Sequence, residues 1–160
     1  MNRSKLGESL RLFLLLLGVL LAILLADRGF GALGEPVDSV ESDRRALSAV
    51  RGRTTAQGSY TIHEIEYNGI AVREYVSPSG VVFAVTWSGI RHPDLSTLLG
   101  SYTDQYQKAV RQLSHRPGAR RLSVEADGVI VEKWGHVRDL RGRAYAPELI
   151  PSGVTADEIK

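Results

Sequence analysis

The sequence predicts one α+β domain: a mostly antiparallel sheet of five or six strands, a long amphipathic helix packed on one face, and a short N-terminal helix. Three observations carry that expectation. Asn68-Gly69 and Asp127-Gly128 each lie between two runs of strand-forming residues, the strongest short-range hairpin signal. Apolar residues recur with a 3.6-residue period from Leu95 to Leu113. The run at 81–87, VVFAVTW, is nearly continuous in apolar side chains, as in a strand lying centrally in a sheet.

The chain opens differently. Arg3, Lys5 and Arg11 precede an uncharged apolar run at 12–26, LFLLLLGVLLAILLA, which Asp27 and Arg28 close. At about 1.5 Å per residue the run reaches roughly 22 Å, short of a hydrocarbon core of roughly 30 Å. A basic stretch, a short apolar run and small residues beyond it make a secretory signal peptide. Ala32-Leu33-Gly34 offers the small-x-small cleavage site, with Gly29-Phe30-Gly31 as a poorer one. The expected division is a signal peptide at 1–34 and a single domain at 35–160, exported to the periplasm or secreted. An uncleaved anchor is the alternative, and membrane contact would then run through the leader alone.

Charge follows from that division. The whole chain has 20 basic and 18 acidic residues, a formal +2. The leader holds Arg3, Lys5, Arg11 and Arg28 against Glu8 and Asp27, so the remainder carries 16 of each sign. A neutral domain argues against a nucleic-acid partner. No cysteine is present, which removes disulfides, a thiolate nucleophile and a lipid-modified cysteine.

Along the domain, Asp38 and Glu41 have the spacing of a helix start, and a first helix is expected near 39–51. Residues 51–59, RGRTTAQGS, read as a polar loop. Strands follow at 60–67 and 70–76 around Asn68-Gly69, and a third at 81–87 after Ser77-Pro78-Ser79-Gly80. Asp94, behind His92-Pro93, is placed to cap the long helix at 94–114. Gly100 inside it costs up to about 1 kcal/mol against Ala. Pro117-Gly118 ends that segment. A second hairpin pairs 122–126 with 129–134, and a sixth strand is expected near 137–145. IAVREY after Asn68-Gly69 and VIVEKW after Asp127-Gly128 share one order of apolar, charged and aromatic residues, which raises an internal repeat.

No local signature of catalysis is present. His63, His92, His115 and His136 lack metal-ligand spacing, and there is no nucleophile elbow, phosphate loop or dinucleotide fingerprint. No catalytic residue, metal or cofactor is assigned. The candidate ligand-binding residues are Arg73, Glu74, Trp87, Trp134, His136, Arg138 and Arg143. Alternation puts Arg73 and Tyr75 on one face and Val72, Glu74 and Val76 on the other. An acid among core valines needs a cationic or hydrogen-bonding partner, which Arg138, Arg141 or Arg143 could supply. Trp87 and Trp134 end strands, where aromatics cap cores or line interfaces. The basic stretch 115–121 reads as a solvated connection.

Val72-Arg-Glu-Tyr-Val-Ser-Pro-Ser-Gly-Val-Val-Phe-Ala-Val-Thr-Trp87, Pro93-Asp-Leu and Leu98-Leu-Gly-Ser-Tyr102 carry a resemblance, joined by Gly135-His-Val-Arg138, Gly142-Arg-Ala-Tyr-Ala-Pro147, Pro151-Ser-Gly-Val154 and the Ala32-Leu33-Gly34 junction. The chain resembles the exported proteobacterial proteins of domain-of-unknown-function family 2844, with Glu35 and Ile90 as small departures. The resemblance implies export and one folded unit, and no activity. The expected function is a non-catalytic periplasmic or secreted binding or accessory module, its partner an unknown envelope protein or small ligand. Two alternatives stand beside it. One is a small envelope hydrolase using His136, Glu74 and a turn serine; the other is a structural domain pairing through a sheet edge.

Overall fold

The structure is a computed structural model that describes residues 33–113 and 120–160. Its elements in chain order are α1 (Asp38–Ala46), β1 (Val50–Gln57), β2 (Tyr60–Tyr67), β3 (Ile70–Val76), β4 (Val82–Gly89), α2 (Leu95–Leu99), α3 (Thr103–Gln112), β5 (Arg121–Ala126), β6 (Val129–His136) and β7 (Asp139–Tyr145). The seven strands form one antiparallel sheet in the order β1-β2-β3-β4-β7-β6-β5. Both expected hairpins form. At the first, Asn68 has φ 48° and Gly69 φ 76°, the left-handed pair that a tight two-residue turn requires.

Three expectations change. Most of 51–59 is not a loop: residues 51–57 belong to β1, which adds a seventh strand, and 58–59 form the turn to β2. The β1 sequence, VRGRTTAQ, lacks an apolar face because β1 is an edge strand paired with β2 alone. The first helix stops at Ala46 rather than 51, since the chain is already extended from Val50. The long helix is broken: α2 ends at Gly100, with φ 51° and ψ −124°, and a short 3-10 turn over Gly100–Tyr102 leads into α3. Glycine reaches that conformation without a Cβ clash, so the residue expected only to weaken the helix instead redirects it. Ahead of α1, Leu33 is fully buried, and its amide donates to the Leu98 carbonyl at 3.2 Å. Of the expected leader, residues 1–32 lie outside the described residues. Among those described, no helix is long and apolar enough to cross a membrane.

The sheet is cored on both faces. On one, Leu95, Leu98, Leu99 and Tyr106 of the helices pack on Val72, Val85, Trp87 and Val131. The Asp94 side chain accepts from the Ser96 amide at 3.0 Å, so the expected cap on α2 is present. Each fully buried large side chain contributes about 1.5–3 kcal/mol before entropy. On the other face Tyr60, Tyr75 and Phe83 form an aromatic patch with ring centroids 5.7–6.1 Å apart. A bulge between β3 and β4 turns the successive residues Phe83 and Ala84 to this same side. The C-terminal segment, from the 3-10 turn Pro147–Leu149 onward, returns over the patch and lays Ile150, Val154 and Ile159 on it.

Candidate functional site

Residues directly opposed across antiparallel strands share a face. Three adjacent cross-strand rows build the face away from the helices. The first, Ile62-Tyr75-Ala84-Tyr145-Ile130, includes part of the aromatic patch. The middle row is polar: Glu64-Arg73-Thr86-Arg143-Glu132-Ser123. The third row is Ala71-Ser88-Arg141-Trp134-Arg121. It floors an open basin of about 900 Å³, walled on one side by Asp157, Ile159 and Lys160 of the C-terminal segment.

The middle row binds that segment. Arg143 donates from Nη1 to the main-chain oxygens of Ala156 and Ile159, at 2.5 and 3.3 Å. The main-chain oxygen of Lys160 accepts from Tyr75 Oη at 2.5 Å, Thr86 Oγ1 at 3.4 Å and Arg73 Nη1 at 3.4 Å. Carboxylates hold the guanidinium groups in place. Glu64 Oε1 accepts from Arg73 Nε at 2.6 Å. Glu132 accepts from Arg143 at 2.5 Å and from Arg121 at 3.1 Å. Burial pushes the Glu132 carboxyl up, but those two arginines outweigh it and hold it below the usual carboxylate value. Beyond them, Asp139 accepts from Arg141 Nε at 2.9 Å.

The basin lining has five basic side chains against two carboxylates, with the half-buried Trp134 between Arg121 and Arg141. Such a surface offers flat apolar area and charge-assisted donors for carboxylate or carbonyl oxygens. None of the described histidines lines it. Among the described residues no group of three His, Asp or Glu is arranged to hold a metal ion.

Of the residues singled out in the sequence, Arg73, Trp134 and Arg143 meet in the basin. Trp87 contributes to the floor while packing in the helix-side core, and its Nε1 donates to His92 Nδ1 at 2.9 Å. Glu74 is on the other face, fully buried, and its row is His63-Glu74-Val85-Ala144-Val131. The expectation that Arg138, Arg141 or Arg143 partners Glu74 is corrected. Register places Ala144 on that row, the two β7 arginines point to the basin side, and Arg138 occupies the β6–β7 turn with φ 70°. His136 is exposed at the end of β6, so Glu74 and His136 are not brought together. Arg121, Thr86, Ser88 and the main-chain oxygens of the C-terminal segment went unassigned in the sequence. Alternation of Arg141 with Arg143 was a readable sign of the basin; the path of the C-terminal segment had none. In the basic stretch 115–121, residues 115–119 lie outside the described residues.

A small α+β domain on a single antiparallel sheet, cored on both faces and open at one arginine-lined basin, is the class that this fold and site define. The chain belongs to the family of proteins of unknown function DUF2844, whose model matches residues 29–159. No curated protein matches it. Among solved structures it is similar to a cysteine-rich secretory protein of Staphylococcus aureus subsp. aureus Mu50, at 8% identity and a TM-score of 0.45. The likeness covers 74% of this chain and 46% of that one, so the chain spans under half of that protein's length.

Proposed function

We propose that this protein is an exported, non-catalytic binding module of the cell envelope, and that the basin around Trp134 is its binding surface. One observation carries the reading: a tryptophan flanked across the sheet by Arg121 and Arg141 on a floor of paired strands. A rigid sheet holds such groups with little ordering cost on binding, and their charge favours an anionic ligand. The apolar run at 12–26 behind basic residues supports export to the periplasm or beyond.

Two measurements test this. The chain expressed with its own leader is expected in the extracytoplasmic fraction; retention in the cytosol would remove the export half. Titrating the purified protein with anionic envelope extracts while following the Trp134 indole by NMR tests the other half. A ligand-dependent shift at Trp134 is expected, and an unmoved signal would remove the basin as the binding surface.

A further inference from the structure

The open basin and the covered aromatic patch occupy equivalent places in the sheet. Arg73 and Glu132 each stand four residues beyond the glycine of their hairpin turn, opposite Thr86 and Arg143 respectively. Thr86 and Arg143 in turn oppose each other across β4 and β7. The registers therefore define a two-fold relation centred between these two residues. It carries Tyr75 onto Trp134, Ala84 onto Arg141, and Ile62 onto Arg121.

On the Tyr75 side a peptide is already seated. Ile159 is 1% exposed there, and the Lys160 main-chain oxygen accepts from Tyr75, Thr86 and Arg73. The Trp134 side has the equivalent aromatic and the equivalent strands but, among the described residues, no cover. Where the covered side presents Ala84 and Ile62, it presents Arg141 and Arg121, with side chains 56% and 67% exposed.

We propose that the Trp134 side seats a second peptide, an extended acidic segment of another protein, beside the chain's own C-terminal segment. This rests on the reading of the basin as the binding surface and adds the class of ligand. Five strands about 4.8 Å apart give the third row a length of roughly 19 Å, the reach of about six extended residues. Arg121 and Arg141, now turned to Glu132 and Asp139, exchange those acids for carboxylates of the peptide in paired hydrogen bonds. Trp134 covers the apolar side chain between them. The excess of basic groups in the lining selects an acidic segment over a neutral one.

The test uses the full chain and a fluorescein-labelled hexapeptide of alternating glutamate and alanine. Binding is expected to raise the peptide's anisotropy and quench tryptophan emission. The double variant Arg121→Gln, Arg141→Gln, which adds no acid beside Glu132 or Asp139, should weaken it by at least about tenfold, while the circular-dichroism spectrum at the assay temperature stays that of the folded protein. Equal affinity for the glutamine–alanine hexapeptide would overturn the acidic selectivity. A response to oligogalacturonate with none to the peptide would overturn the peptide assignment and leave the basin reading in place. Silence toward both removes the two together.

Discussion

The two sides of the face away from the helices share strands, registers and an aromatic centre, yet one is buried and the other open. Around Tyr75, apolar neighbours and a returning segment exclude water. Around Trp134, arginines occupy the matching positions and nothing in the described chain crosses over them. The difference teaches that pairing in the sheet is indifferent to what its outer face carries. Burial of apolar side chains is concentrated on the covered side, and the proposed recognition surface is on the other.

The largest effect expected from breaking this contrast comes from paired truncations. Phe83→Ala removes a ring with 0% exposure and should cost about 3–5 kcal/mol in urea unfolding. Trp134→Ala on the open side should cost no more than about 1 kcal/mol. Comparable losses would show that the two sides do not divide stability from recognition. Next, Ile159→Ala should cost about 2 kcal/mol and speed hydrogen exchange in 150–160, because this side chain anchors the cover.

A smaller effect concerns acid. Glu132 is held below the usual carboxylate range, so its contribution to stability is present above about pH 4.3 and is lost as pH falls through the lower folded value. Glu132→Gln should lower stability at neutral pH and flatten the acid limb of the denaturation profile. The smallest is at His92. Burial, aided by the nearby Lys133 charge, pushes its imidazole down, so stability is full above about pH 6.5 and declines below it toward the folded value. A proton on Nδ1 ends the hydrogen bond from Trp87. Trp87 emission in a Trp134→Phe background should therefore change below that pH, and His92→Asn should abolish the change.

The central hairpins were legible because a turn such as Asn68-Gly69 sets register, and register assigns every side chain between its strands to a face. That is why Glu74 could be placed among the core valines in advance. β1 was not legible, because an edge strand needs no apolar stripe and RGRTTAQ displays none. The bulge that turns Phe83 and Ala84 to one side was hidden in a continuous apolar run. Arg73, Trp134 and Arg143 were readable as candidates through alternation. Bringing Arg73 to Trp134, Arg143 and Arg121 depends on how β4 meets β7, and the C-terminal contacts depend on a return path that no local pattern records.

The β4–β7 ladder also bears on how the chain folds. Every other pairing in the sheet joins neighbours in sequence through a short turn and closes at little entropic cost. The Thr86–Arg143 seam instead joins residues separated by both downstream helices and a second hairpin. Two meanders that form locally must find each other there, which makes the seam the expected slow step of folding. Substitutions along it should then retard refolding, whereas those in the outer hairpins should mainly hasten unfolding.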